Sequence, residues 1–79
     1  MGNYEKYEKT FIECFGVRKD TVDSLEYQGI SEWDSVAHMN LMASIEDAFE
    51  ITMDTDDIID FSSFKRGREI LKEKYGIPL

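Results

Sequence analysis

The sequence predicts an all-α fold of four helices, of which the third is short, with a long loop between helices one and two. Apolar residues recur at three- to four-residue spacing in the first and central segments, and no segment alternates apolar and polar residues as a strand does. Residues typical of helix ends flank these segments. Because two halves of a 79-residue chain would each be too small to bury a core, we expect one domain over residues 1–79.

The first helix is predicted over residues 4–15. Asn3 is a suitable N-cap and Gly16 a suitable C-cap, and one apolar stripe runs between them: Tyr4, Tyr7, Phe11 and Phe15. The apolar residues of segment 16–33 follow neither the helical nor the strand period. A connection of this length is usually functional or held in place by its own side chains. The apolar residues available to hold it are Val17, Val22, Leu25, Tyr27 and Ile30.

The second helix is predicted over residues 35–50, with Asp34 as its N-cap. Trp33, directly before the cap, is expected to anchor the loop to the core. Asp54 or Thr55 is expected to cap a short third helix that runs through Ile58 and Ile59. Ser62 or Ser63 is expected to cap the last helix, which ends at Tyr75-Gly76.

The second predicted helix has two apolar faces. The broad face is the expected core face and comprises Leu41, Met42, Ile45, Ala48 and Phe49. The opposite face carries small or flexible apolar residues followed by acids, namely Val36, Met39, Ala43, Glu46, Asp47 and Glu50. This opposite face is either a docking surface for another protein or is buried by neighbouring helices, and periodicity does not separate the two.

The charge of the chain is unevenly distributed. Nine basic and 17 acidic residues give a formal net charge of −8, and the stretch from Asp20 through Phe64 contains 12 acids and no lysine or arginine. This argues against nucleic acid and anionic membranes as partners and makes basic protein surfaces the natural alternative. An acidic surface that serves only solubility would have the same pattern.

Other classes of site and location are disfavoured by composition. A single cysteine cannot form an internal disulfide, and no Cys/His cluster has zinc spacing. The acids Asp54, Asp56 and Asp57 lack the glycine and terminal glutamate of a calcium loop, so we expect them to serve capping and solubility. With no membrane span and no signal-peptide pattern in the sequence, we expect a metal-free, cytoplasmic monomer.

Ser35 is the residue with the most suggestive position. It follows the predicted N-cap, where free backbone N–H groups and the helix dipole suit a phosphate on its hydroxyl, although a serine there often only caps the helix. His38 and Asp34 invite comparison with a hydrolase triad. Because the G-x-S-x-G turn and an oxyanion hole are absent and His38 falls on the core-facing side, we expect a packed or interface-edge histidine and no enzyme activity.

The string Asp34-Ser35-Val36, followed by the helix through Phe49 and by Glu50-Ile51-Thr52-Met53-Asp54, resembles an acyl carrier protein. The likeness covers nearly the whole chain. The family's modification motif is Asp-Ser-Leu, and Val36 replaces its leucine with another apolar residue. The longer string from Trp33 to Leu41 is more similar to stand-alone carriers of specialised biosynthetic pathways than to the housekeeping fatty-acid carrier.

The resemblance implies a small four-helix bundle with three longer helices and a short third one. It implies that Ser35 carries 4'-phosphopantetheine, transferred from coenzyme A by a magnesium-dependent transferase, and that Asp34 helps the transferase recognise the site. The arm would hold acyl intermediates as thioesters for fatty-acid, polyketide or other specialised enzymes. These enzymes and the transferase would use their own basic patches to dock on one surface of this chain. That surface comprises Val36, Met39, Ala43, Glu46, Asp47 and Glu50.

Two questions stay open at the level of sequence. The alternative function is a non-covalent acidic helical module, such as an inhibitor that covers a basic protein surface. The cargo is undetermined, and so is its location, since the residues that would enclose part of it also suit core packing: Met42, Ile45, Phe49, Ile58 and Ile70.

Overall fold

The computed structural model describes residues 2–79, and over this range the protein is a small all-α bundle. Its helices are α1 (Asn3–Phe15), α2 (Ser35–Phe49), α3 (Thr55–Asp60) and α4 (Phe64–Lys74). One turn of 3₁₀ helix, Val22–Ser24, lies in the long loop between α1 and α2. Within residues 2–79 there is no strand, only an isolated antiparallel bridge between Glu26 and Ser63. The predicted fold class is confirmed.

The helix ends follow the predicted capping residues with one exception. Gly16 ends α1 at a φ of 66°, and Ser63 Oγ begins α4 by accepting a hydrogen bond from Arg66 N at 2.9 Å. The prediction that Asn3 caps α1 was wrong, because Gly2 is the N-cap. Asn3 is already helical, and its Nδ2 instead donates to the Pro78 carbonyl at 3.2 Å, which ties the two ends of the described chain together.

The core is built around aromatic side chains contributed by two helices, α1 and α4, and by two loops. Phe11 of α1 lies at its centre, with its ring centroid 5.5 Å from Trp33 and 5.0 Å from Phe64. Trp33 is fully buried, as predicted, so the segment directly before α2 is fixed to the core. Gly67 of α4 packs against Phe61 and Tyr7 so closely that an added Cβ would overlap both.

The long loop is held mainly by its own side chains. Val22 and Leu25 are buried as predicted, and Val17 and Ile30 are partly buried. Its chain is also bonded to the start of α4, since Phe64 N donates to the Leu25 carbonyl at 2.9 Å. Tyr27 is 36% exposed, but its ring packs against Trp33 and His38, with centroids 6.3 Å and 5.1 Å away, so it holds the loop from the surface and not from within the core.

The short helix α3 is attached to α4 through its carboxylates. Asp57 is buried and accepts hydrogen bonds from Lys74 Nζ at 2.7 Å and from Tyr75 Oη at 2.6 Å. These two donors, the lysine above all, hold the pKa of Asp57 below its usual range. Asp60 forms a further ion pair with Arg66. Asp57 therefore does more than the capping and solubilising that the sequence predicted.

None of the helices between Gly2 and Leu79 is long and apolar enough to cross a membrane.

Candidate functional site

Ser35 is the first residue of α2, and its side chain is exposed. Asp34 forms the predicted N-cap, with Oδ1 accepting from Ala37 N at 2.9 Å and its carbonyl accepting from His38 N at 2.8 Å. As in any helix, the first-turn N–H groups of Ser35 and Val36 have no intrahelical acceptor. The start of α2 therefore presents a hydroxyl beside two free amides.

The large apolar side chains that the protein exposes lie around Ser35. In residues 2–79 four are exposed: Val36 at 70%, Met39 at 54%, Ile59 at 76% and Tyr27 at 36%. Val36 directly follows Ser35 in the chain. The other three line one groove together with Ser35. A cluster of exposed apolar residues on a small protein is typical of a binding surface.

The groove beside Ser35 has a volume of about 350 Å³ and a mostly apolar wall. The loop, α2 and α3 each contribute to it, through Tyr27, Ser35, His38, Met39, Ile58 and Ile59. Its size is at the lower end of the range for ligand pockets. Sequence reasoning missed Tyr27 and Ile59 as site residues, although the isolated pair Ile58-Ile59 among the acids of α3 was a usable signal.

The chain matches no family model. Neither a curated protein nor a solved structure is significantly similar to it.

A larger cavity, about 420 Å³, lies between the start of α3 and the end of α4. Charged and hydroxyl side chains line it, and its buried carboxylate, Asp57, is already paired with Lys74 and Tyr75. Within residues 2–79 no group of three or more histidine, cysteine, aspartate and glutamate side chains is arranged to hold a metal ion. We therefore place the candidate site at the groove beside Ser35.

His38 forms the floor of the groove and is hydrogen-bonded through both ring nitrogens. Trp33 Nε1 lies 2.9 Å from Nδ1, and the Ile58 carbonyl lies 2.8 Å from Nε2. An indole N–H can only donate and a carbonyl can only accept, so Nδ1 is the acceptor and Nε2 carries the proton. The imidazole is therefore partly buried and bonded to structural partners on both sides.

The face of α2 predicted to dock a partner is not covered by neighbouring helices. Val36, Met39, Ala43, Asp47 and Glu50 are exposed on it. Glu46 differs, because it is partly buried and its Oε2 accepts from Met53 N at 2.8 Å. The free carboxylates of this face are therefore Asp47 and Glu50, and Glu46 instead fixes the connection between α2 and α3.

The residues considered as a lining for cargo separate into two groups. Met42, Ile45 and Ile70 are fully buried members of the core, and Phe49 is partly buried against it. Ile58 is the one that lines the groove beside Ser35.

Proposed function

We propose that this protein is an acyl carrier whose Ser35 is modified with 4'-phosphopantetheine. The observation that carries the proposal is the position of Ser35, an exposed hydroxyl at the start of α2 surrounded by the protein's exposed large apolar residues. The resemblance around Asp34-Ser35-Val36 supplies the identity of the modification.

The modification is a group transfer from coenzyme A. Ser35 Oγ forms a bond to the phosphorus next to pantetheine, the bond from that phosphorus to the bridging pyrophosphate oxygen breaks, and adenosine 3',5'-bisphosphate leaves. The serine proton passes to a base of the transferase, which also holds the magnesium. When bound, the arm supplies a terminal thiol that keeps an acyl group activated as a thioester, at an effective concentration of about millimolar for a docked enzyme.

The residues around Ser35 fit such a group. The N–H groups of Ser35 and Val36 and the positive end of the α2 dipole favour a phosphate at this hydroxyl. The apolar groove, with Met39 and Ile59 in its wall, suits the hydrocarbon part of an arm that starts at Ser35. Asp34 is exposed, so solvent screens its charge from a neighbouring phosphate.

Transferase and acyl-processing enzymes are proposed to dock on the uncovered face of α2. Val36 and Met39 offer apolar contact area next to Ser35, and Asp47 and Glu50 offer charges for basic patches. Because Ile59 is even more exposed than Met39, the docking surface extends onto α3.

The environment of His38 supports a carrier over a hydrolase. A nucleophilic serine needs a base that accepts its proton. His38 Nδ1 already accepts from Trp33, and Nε2 donates to the Ile58 carbonyl, so neither nitrogen is free for Ser35.

The test is the intact mass of the purified chain after incubation with coenzyme A, magnesium and a broad-specificity phosphopantetheinyl transferase. We expect one phosphopantetheinyl group on the wild-type chain and on the control variant Ser31→Ala, which removes an exposed serine from the neighbouring loop. The variant Ser35→Ala should remain unmodified. An unmodified wild-type chain, or modification that persists in Ser35→Ala, contradicts the proposal.

A non-covalent acidic module is the competing function, and the uncovered, acid-bordered face of α2 also fits it. It predicts that a basic partner binds Ser35→Ala as tightly as the unmodified wild-type chain and that binding weakens steeply with salt. The carrier instead predicts that productive interaction is lost with the hydroxyl. Mass spectrometry of the protein taken from its native cells would identify any acyl group attached.

A further inference from the structure

We infer that His38 is a positioning residue that holds α3 against α2 and thereby sets the width of the groove beside Ser35. The six residues of α3 bury little apolar surface. Ile58 is only partly buried and Ile59 is 76% exposed. Packing alone therefore fixes this helix weakly, and elements with few buried apolar contacts open most easily.

The polar attachments of α3 are unevenly distributed. Towards α4, two of its carboxylates accept hydrogen bonds: Asp57 from Lys74 and Tyr75, and Asp60 from Arg66. Towards α2 the side-chain hydrogen bond is the one from His38 Nε2 to the Ile58 carbonyl, at 2.8 Å. Glu46 bonds Met53 N, which fixes the chain that enters α3 but not α3 itself.

The Ile58 carbonyl is well suited to receive this bond. It belongs to the last turn of α3, where carbonyls have no intrahelical N–H partner. His38 satisfies it from the neighbouring helix. Losing the bond would leave this carbonyl without its partner and would free α3 to turn outward on its attachments to α4.

Trp33 orients the imidazole for this task. Its indole N–H donates to Nδ1 at 2.9 Å, and the two ring planes are inclined by only 19°, with centroids 6.0 Å apart. Because Trp33 is fully buried in the core, the ring of His38 is aimed at Ile58 by a fixed support. The chain of contacts thus runs from the core through Trp33 and His38 to α3.

The hydrogen bond from His38 to α3 also affects the groove beside Ser35. Ile58 and Ile59 form the α3 side of the groove, opposite Ser35 and Met39. Their distance from α2 depends on the bond that His38 makes. His38 therefore determines both the width of the groove and the spacing of Met39 and Ile59 as they are presented to a partner.

Two substitutions separate the two bonds of His38. In His38→Asn the side-chain oxygen takes the place of Nδ1 and still accepts from Trp33, but the side chain is too short to reach Ile58. In His38→Gln the amide nitrogen lies as many bonds from Cα as Nε2 does, so it still donates to the Ile58 carbonyl.

The first readout is amide hydrogen exchange on the unmodified chain. We expect the amides of Ile58, Ile59 and Asp60 to exchange about tenfold faster in His38→Asn, with amides of α1 and α4 unchanged, and His38→Gln to restore the wild-type rates. Equal protection of α3 in His38→Asn and wild type overturns the inference. So does a uniform increase in all helices, or the failure of His38→Gln to restore protection.

The second readout rests on the proposed function. With coenzyme A and the transferase, we expect His38→Asn to raise KM for the carrier several-fold with kcat within about twofold of wild type, and His38→Gln to reverse the change. An unchanged KM contradicts the link between His38 and partner presentation. If the wild-type chain is not modified at all, the proposed function fails, while the exchange experiment still decides the role of His38.

Discussion

Gly67 allows the closest approach between α4 and the aromatic core. A Cβ at this position would overlap the ring of Phe61 and the hydroxyl of Tyr7, both of which are fully buried. We therefore expect Gly67→Ala to lower the free energy of unfolding by about 1–3 kcal/mol, because overpacking displaces neighbours that have no room to move. Urea denaturation followed by circular dichroism measures the change.

The matched control is Gly2→Ala. No atom lies within 4 Å of an added Cβ at Gly2, so this variant should stay within about 1 kcal/mol of wild type, the residual effect being that of a changed N-cap. Equal stability of Gly67→Ala and Gly2→Ala would mean that the contact of α4 with Tyr7 and Phe61 is not tight.

Glu50 ends α2 in a left-handed conformation with a φ of 55°. A side chain costs about 1–2 kcal/mol in this region, whereas glycine adopts it freely but gives the unfolded chain more freedom. The net expectation for Glu50→Gly is a rise in the free energy of unfolding of about 0.5–1 kcal/mol. Glu50→Ala keeps the strain and should not gain this stability.

The same substitution removes one of the free carboxylates of the proposed docking face. We therefore expect Glu50→Gly to be more stable and yet a poorer substrate for the transferase. Thermal unfolding and transfer kinetics on one preparation measure both effects, and a variant that gains in both would argue against a docking role for Glu50.

At the scale of the element, α3 depends on charge for its attachment to α4. Lys74 and Tyr75 hold the pKa of Asp57 below its ordinary value of about 3.9. The stabilisation is therefore complete above that value and is lost as the pH falls through the lowered, folded-state pKa. We expect the free energy of unfolding to fall more steeply with acid in the wild type than in Asp57→Asn.

Urea titrations between about pH 2 and pH 7 measure this difference. Asp56→Asn is the control, because Asp56 is an exposed neighbour on the same helix and makes no side-chain bond within residues 2–79. A wild-type curve parallel to that of Asp57→Asn throughout this range would exclude the ion pair as a source of stability.

The helices were predictable from sequence because spacing and capping are local. Asp34 and Ser63 cap α2 and α4 as expected, and Ser35 was located at the start of α2. What was missed depends on contacts between elements that are distant in sequence. Tyr27 and Ile59 meet only across the groove, 32 positions apart, and the burial of Asp57 depends on Lys74, 17 positions later.

Glu46 illustrates the same limit within a single helix. Helical spacing places it on the same face as Asp47 and Glu50, and all three were predicted to dock a partner. The turn after α2 brings Met53 N within 2.8 Å of its carboxylate, and this turn has no periodic signal. Helical periodicity therefore predicts which residues share the uncovered face of α2, but not which of its charges are free.

For the molecule as a whole, the acids between Asp20 and Phe64 dominate its long-range field, although Asp57 and Asp60 are paired with basic residues of α4. If this field steers basic partners, raising salt from about 10 mM to about 300 mM shortens the Debye length from about 30 Å to about 6 Å and should raise KM for the transferase several-fold. The free energy of unfolding should change much less, since aromatic packing dominates the core. Salt-insensitive transfer would count against steering.

Neutralising one acid at a time shows which acids produce the salt dependence of transfer. Asp47→Asn removes a free charge of the proposed docking face, and Asp23→Asn removes an exposed charge from the 3₁₀ turn of the loop. We expect the first to raise KM at low salt more than the second. Equal effects would indicate that only net charge matters and that the acids of α2 make no specific contact.

The single tryptophan of the chain gives the protein a built-in optical reporter. Trp33 is fully buried, its indole N–H is bonded to His38, and its ring stacks on Phe15 with centroids 5.2 Å apart. Its intrinsic fluorescence therefore originates where the loop meets α2. Only the side chain of His38, hydrogen-bonded on both sides, separates the indole from α3. Events at that joint can be followed by emission intensity in the unlabelled wild-type protein, without a dye that would itself occupy the apolar surface.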